Sequence, residues 1–266
     1  MIDTPVKPAT ADTPDEPAYP ARKAWWIVGG AVTGAALLTG LLAFGSWAWM
    51  ISSSEEDATR TEEFDRAVAA AEVRAEVGDL RFEAAAGTAL EFRLKTQWLG
   101  AAPDTSEEWD GDRFSAEGEC DQGRFLGLDV DQCETDYTLG LPAGADATAE
   151  TGVGDVSLDG LDGAVDIDTG IGDVTGEGLR TTDTTVVTGV GDVTLEFAQV
   201  LGDISVEAGT GDVVLTVPDD GTVYEVLHDG GIGDQHIEIA TDPTADADYT
   251  ITVASGVGSL TIQYGS

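Results

Sequence analysis

Basic residues are scarce in this sequence. Lys and Arg number 12 against 51 Asp and Glu, which gives a formal net charge of −39 at pH 7, and Arg180 is the only basic residue after Arg124. So acidic a surface repels phosphate backbones and anionic lipid headgroups, which argues against nucleic-acid binding. Cations or basic proteins are the electrostatic alternatives. Acidic side chains also keep a repetitive β-protein soluble and discourage edge pairing, and this is the simpler interpretation.

Histidine and the usual catalytic motifs are also lacking. His228 and His236 are the only histidines, and their spacing suits neither a catalytic triad nor a zinc site, so both are expected to face solvent from strands. No Gly-Lys-Ser/Thr follows the glycine-rich stretches, which argues against a phosphate-binding loop. Acidic pairs for glycoside hydrolysis are too common to be diagnostic, and stacking aromatics are few. A non-enzymatic protein without a cofactor is therefore predicted, and an enzyme acting on cell-wall polysaccharide is the least favoured alternative.

Only two cysteines occur, Cys120 and Cys133, with Gly123 and Gly127 between them. They lack C-x-x-C spacing, a neighbouring histidine and basic neighbours other than Arg124, which disfavours a zinc site or a reactive thiol pair. If this segment lies outside the cytoplasm, a structural disulfide is expected.

Charged residues are missing from Ala24 to Ser54, a stretch rich in apolar side chains. A helix from Trp25 to Trp49 would rise about 36 Å, enough to cross a hydrocarbon core of roughly 30 Å, and tryptophans lie near both of its ends. We predict a transmembrane helix over residues 24–51. A cleaved signal peptide is the alternative, but the apolar run is longer than a usual signal-peptide core.

The flanking charges predict the orientation of this helix. Arg22 and Lys23 precede it and acidic residues follow it, so the N-terminus should be cytoplasmic and the rest extracytoplasmic. Gly30 and Gly34 form a G-x-x-x-G step that is compatible with helix pairing and a homo-oligomer. Residues 1–23 contain five prolines and are predicted to be a disordered cytoplasmic tail.

The segment over residues 52–72 permits two interpretations. Ser53 and Glu56 have the spacing of a capping box, which predicts a helical stalk, whereas Thr59 to Phe64 also suits an edge strand. From Val73 onward, apolar and polar residues alternate as in strands.

The strongest pattern is a repeat that reads small-Gly-x-Gly-Asp and leads into alternating apolar residues. Its period drifts from 18 to 25 residues, and offset apolar stretches between the copies indicate two strands and two turns in each period. The copies are Gly152-Val153-Gly154-Asp155, Gly170-Ile171-Gly172-Asp173, Gly189-Val190-Gly191-Asp192, Gly209-Thr210-Gly211-Asp212, Gly231-Ile232-Gly233-Asp234 and the degenerate Gly256-Val257-Gly258-Ser259.

One such unit cannot bury its apolar face alone, so successive units should stack. The sequence therefore predicts an all-β fold, a parallel β-solenoid over residues 73–266. In it Val and Leu should face inward, Thr, Ser and Asp should face water, and Gly should occupy turns with positive φ.

These copies, the segment from Tyr137 to Gly144 and the strand end Leu215-Thr216-Val217-Pro218 resemble a known group, the bacterial β-strand-repeat proteins with a toastrack domain, regarded as candidate adhesins. The resemblance covers most of Val73 to Tyr264. It implies a β-helix-like extracytoplasmic domain in a membrane-anchored protein, linked to adhesion or to envelope-stress sensing.

The aspartates of the repeat permit a chemical alternative. Stacked glycine-aspartate turns supply oxygen ligands, as in calcium-binding β-rolls, although those repeat about every nine residues. The simpler role is a turn in which Asp bonds its own backbone. The calcium-ladder candidates are Asp155, Asp173, Asp192, Asp212 and Asp234.

Together these patterns predict a single-pass membrane protein whose solenoid presents a face to an unidentified protein partner in the cell envelope, for adhesion or for stress sensing. A calcium-binding structural module is the alternative function.

Overall fold

The computed structural model describes residues 56–99, 101–120, 124–125, 128–129, 132–241 and 247–265. Within these ranges every regular element is a β-strand, so none of them contains a helix that could cross a membrane. The predicted tail over residues 1–23, the predicted transmembrane helix over residues 24–51 and its Gly30 and Gly34 lie outside the described residues.

The strands form two large sheets and one small ribbon. Sheet A has the spatial order β1 (Glu56–Phe64), β4 (Leu90–Leu99), β9 (Gln132–Leu141), β3 (Leu80–Ala84), β11 (Val156–Asp159), β13 (Val174–Leu179), β15 (Val193–Phe197), β17 (Val213–Val217), β21 (Leu260–Tyr264) and β19 (Gln235–Ile237). Sheet B has the order β18 (Tyr224–Ile232), β20 (Tyr249–Val257), β16 (Ile204–Thr210), β14 (Thr184–Val190), β12 (Val165–Ile171), β10 (Asp146–Val153), β2 (Ala70–Val77), β6 (Arg113–Glu119) and β5 (Asp104–Asp110). The ribbon pairs β7 (Arg124–Phe125) with β8 (Leu128–Asp129).

Each coil contributes one strand to sheet B and the next to sheet A, and corresponding strands of neighbouring coils pair in parallel. The alternation of the sequence places every second side chain between the sheets. One inward column is buried in six successive coils, which confirms the predicted parallel, two-strand solenoid. Its members are Val73, Ala149, Ile167, Val186, Val206 and Val253.

The coils do not all stack in chain order. The coil of β20 and β21 packs directly against that of β16 and β17, while the coil of β18 and β19, which precedes it in sequence, lies outside it. The inward positions of β20 include the fully buried Ile251 and Val253, whereas β18 carries His228 opposite Val253. A histidine is tolerated better at the end of the stack, where only one side is covered by another coil.

The other end of the stack is closed by antiparallel strands. β1 pairs with β4, β4 pairs with β9, and β5 pairs with β6. The ring centroids of Phe64 and Trp109 lie 5.4 Å apart, and an ion pair joins Arg60 to Glu107, so the edge strands β1 and β5 meet across the core. Residues 56–64 are therefore a strand rather than a helical stalk, and the sheet begins before residue 73.

The same end contains the disulfide between Cys120 and Cys133. Cys120 directly follows β6 of sheet B, and Cys133 belongs to β9 of sheet A. The bond thus links the two sheets across the span 121–131 that contains the small ribbon.

Candidate binding surface at the Gly-x-Gly-Asp corner

Each Gly-x-Gly-Asp copy forms a corner at which the chain passes from sheet B to sheet A. At Gly172, φ is +159°, and a Cβ would lie 1.9 Å from the carbonyl oxygen of Gly154 in the neighbouring coil. At Gly170, a Cβ would lie 2.6 Å from the carbonyl oxygen of Gly152. Both glycines of the motif are therefore fixed by the close approach of one coil's backbone to the next.

The aspartate that ends the motif binds the next coil. Oδ1 of Asp155 accepts a hydrogen bond from the backbone N–H of Asp173 at 2.9 Å, and Oδ1 of Asp173 accepts one from Asp192 at 2.8 Å. This bond between coils was predicted neither by the hypothesis that each Asp bonds its own turn nor by the hypothesis that it binds calcium. The ladder runs through Asp136, Asp79, Asp155, Asp173, Asp192 and Asp212 to the amide of Ser259.

Asp234 lies beyond this ladder. It belongs to the outermost coil, whose inner neighbour has Ser259 at the equivalent position. The structure thus places all five calcium-ladder candidates along one corner, but Asp155, Asp173, Asp192 and Asp212 each have one carboxylate oxygen occupied by a backbone amide.

Across the described ranges, one group of three acidic residues has ligand atoms within 4.8 Å of one another, namely Asp79, Glu134 and Asp136. None of the calcium-ladder candidates belongs to it. The Lys95 ammonium lies 3.4 Å from Asp136 and partly neutralises the group. Desolvation raises the pKa of Glu134, and the neighbouring carboxylates of Asp136 and Asp79 raise it further.

Threonines line the inner side of the same corner, which corrects, for these positions, the expectation that Thr faces water; Thr175 and Thr194 of sheet A do face it. Thr169 is 1% exposed, and its hydroxyl donates to the carbonyl of Gly154 at 3.4 Å. Thr151 and Thr188 make the equivalent bonds to Gly78 and Gly172. The signal was present in the sequence, because these threonines are the small residues that open the motif.

The two histidines do not converge on a catalytic arrangement. His236 is exposed and lies 2.8 Å from Glu238. His228 is half-buried and points inward, contrary to the expectation that it faces solvent, because it occupies the core column of the outermost strand.

Burial raises the pKa of the Tyr137 hydroxyl to about 12, so this phenol stays neutral in the core.

A groove of about 920 Å³ lies on the outer face of sheet B beside Cys120. Its walls are acidic, and its one basic side chain, Arg74, lies 2.6 Å from Glu72 and 2.9 Å from Glu150. The hydrogen bond that Arg74 donates to Glu150, followed by the charge of Glu72, raises the pKa of Arg74. The cation of this groove is therefore already paired within the protein.

The central residue of each motif faces solvent. It is the last residue of each sheet-B strand, and parallel pairing aligns these residues from coil to coil. Ile171 is 54% exposed and Val190 is 50% exposed, and their alignment in neighbouring coils makes this a patch rather than a single exposed apolar residue. We call this row the corner stripe; it comprises Val153, Ile171, Val190, Thr210, Val257 and Ile232, together with the half-buried Val77, which is aligned with Val153 although Glu76 replaces the first glycine of the motif there.

The fold and its corner define a class, the two-sheet β-solenoids built from Gly-x-Gly-Asp coils. The chain belongs to the Toastrack DUF4097 family, whose model matches residues 72–263. The predicted resemblance is thereby confirmed. None of the curated proteins compared with the chain matches it.

Three bacterial proteins are among the solved structures that align with this chain. A candidate cell-adhesion protein from Clostridium sporogenes ATCC 15579 is 13% identical with a TM-score of 0.47, and the alignment covers 80% of this chain and 100% of that one. A candidate adhesin from Bacteroides fragilis NCTC 9343 is 14% identical with a TM-score of 0.43, covering 80% and 99%. A candidate adhesin from Parabacteroides merdae ATCC 43184 is 10% identical with a TM-score of 0.29, covering 79% and 97%.

Proposed function

We propose that this chain is a membrane-anchored, non-catalytic protein whose acidic solenoid lies outside the cytoplasm and binds a protein partner through the corner stripe. The observation that carries the proposal is the row of exposed, branched apolar residues in register along one corner. Exposed apolar side chains clustered on one surface are typical of interaction sites.

The fold itself does not require apolar residues in this row. Thr210 occupies the stripe between Val190 and Val257 with the same parallel register, so a polar residue fits the corner equally well. Five members are nevertheless Val or Ile with exposed fractions between 45% and 74%. These are Val153, Ile171, Val190, Val257 and Ile232.

The sequence supports the proposed membrane attachment and location. The uncharged stretch over residues 24–51 supports an anchor, and the basic residues before it support a cytoplasmic N-terminus. The disulfide between Cys120 and Cys133 is compatible with an oxidising compartment. Adhesion and stress sensing then differ in where the partner resides, on another cell or in the same envelope.

The test combines topology with site-specific cross-linking in intact cells. Protease added outside should digest the domain, and a photo-crosslinking residue at position 171 should give a discrete adduct. The matched control places the same residue at Thr175, which is exposed on the outer face of sheet A. A protected domain would refute the location, and equal adducts from both positions would refute the stripe as the binding surface. An adduct that forms without cell contact assigns the partner to the same envelope.

A further inference from the structure

We infer that the occupant of the corner stripe is a cationic amphipathic α-helix of another protein. This inference rests on the proposed function and adds the chemistry of the partner. It depends on three features of the corner: the occupied backbone, the charges on both sides of the stripe, and its length.

The backbone at the corner excludes recognition by strand addition. The amide of Gly172 already donates to the carbonyl of Val190 at 3.0 Å, and the amide of Gly154 donates to Ile171 at 2.9 Å. The main-chain groups along the stripe are thus already hydrogen-bonded to neighbouring coils. A partner must bind through side chains, and a helix that packs its apolar face onto the surface does so.

The charges beside the stripe select a basic partner. The aspartates of the corner, such as Asp173, follow six of the seven stripe residues by two positions, and Ser259 follows the seventh. On the other side, outward carboxylates precede four stripe residues by three positions, namely Glu150, Asp168, Glu207 and Asp229, whereas Arg74 has this position before Val77 and is paired with Glu72 and Glu150. Arg180, the only basic residue after Arg124, lies before β14, at the opposite end of that strand from Val190. A second copy of this chain would bring equally acidic surfaces together, which the net charge of −39 disfavours.

The length of the stripe suits a helix. Seven coils about 4.8 Å apart extend over about 29 Å, which is the length of an α-helix of about 19 residues. The coil spacing is also close to the helical pitch of about 5.4 Å, so one apolar residue per turn can follow the stripe. Lysines on the flanks of that helical face would lie over the row of corner aspartates on one side and over Glu150, Asp168, Glu207 and Asp229 on the other.

The test uses the full chain in nanodiscs of zwitterionic lipid, with empty nanodiscs as the blank. The probe is a synthetic peptide of about 19 residues with leucine at i, i+3, i+4 and i+7 and lysine elsewhere. A second peptide has the same composition with the leucines at alternate positions, and a third replaces lysine by glutamate. Binding is measured by calorimetry at physiological ionic strength, where long-range attraction is screened.

The variant Ile171→Thr/Val190→Thr should weaken binding of the helical lysine peptide by about tenfold or more, since it removes the centre of the apolar contact. The matched control, Leu201→Thr/Leu227→Thr, removes two exposed leucines outside the stripe and should leave the affinity unchanged. The glutamate peptide should not bind.

Equal affinity for the two variants would show general attraction to an acidic surface and would overturn the inference. Stripe-dependent binding of the alternating peptide alone would refute the helical occupant but leave the proposed function standing. Self-association that disappears in Ile171→Thr/Val190→Thr would identify a second copy as the occupant and would also overturn it. A domain protected from protease in cells would instead refute the proposed function, whatever the peptides do.

Discussion

The substitution Gly172→Ala tests the account of the corner most directly. The new Cβ would lie 1.9 Å from the carbonyl oxygen of Gly154, so the two coils must separate by more than 1 Å at this point to reach the 3.0 Å that marks the shortest real contacts. The two backbone hydrogen bonds that join these coils beside the corner, from the amide of Gly154 to the carbonyl of Ile171 and from the amide of Val156 to the carbonyl of Asp173, would stretch or break. Those two bonds contribute about 2 kcal/mol, and the unfavourable backbone conformation adds roughly 2 kcal/mol.

The expected destabilisation of about 4 kcal/mol corresponds to a fall in melting temperature of about 8–16 °C for a domain of this size. The measurement is thermal unfolding of the full chain in detergent micelles, followed by circular dichroism of the strands. Gly144→Ala is the matched control, because φ is +77° there and no atom lies within 4 Å of the added Cβ. It should cost about 1 kcal/mol, or about 2–4 °C. Equal shifts for the two variants would refute the steric argument.

Three further predictions concern single interactions. Asp173→Ala removes the acceptor for the Asp192 amide and should cost about 1 kcal/mol in urea unfolding, whereas Asp173→Asn keeps an acceptor and should stay near wild type; equal losses would contradict the ladder. Cys120→Ser/Cys133→Ser should lower the free energy of unfolding by about 3 kcal/mol, and a melting temperature unchanged from the oxidised protein would argue against a stabilising bond. Because the pKa of Glu134 is raised in the folded state, the protonated carboxyl favours folding, and this contribution is lost as the pH rises through that pKa. Glu134→Gln should therefore raise the melting temperature at pH 7, with the gain disappearing in acid; a gain independent of pH would exclude this explanation.

Much of the solenoid could be predicted because its coils repeat one local rule. The glycines at 170 and 172 and the alternation after them specify a corner and a strand without reference to distant residues. The inward threonines, such as Thr169, could not be assigned from polarity alone, since the acceptor for their hydroxyl appears only when a neighbouring coil supplies a carbonyl.

The position of the outermost coil could not be predicted from the repeat. Both β18 and β20 follow strand alternation, and their order in the stack depends on which inward face can be covered on both sides. The inward His228 makes β18 less suited than β20 to a position between two other coils. This comparison requires the register that aligns His228 with Val253. The sequence placed the ladder aspartates at the corner. Their hydrogen bond to the next coil could not be predicted, because it depends on the distance between neighbouring coils.

The reversed order of the last two coils constrains the route by which the chain folds. Assembly from the N-terminal side can proceed coil by coil only as far as β17, because the surface that receives β18 is provided by a strand synthesised after it. Residues 224–237 must therefore stay unpaired until residues 249–264 have packed against β16 and β17. During synthesis the chain would therefore pass through a stage in which its newest coil packs against the stack before the older coil of β18 and β19 can pair with it.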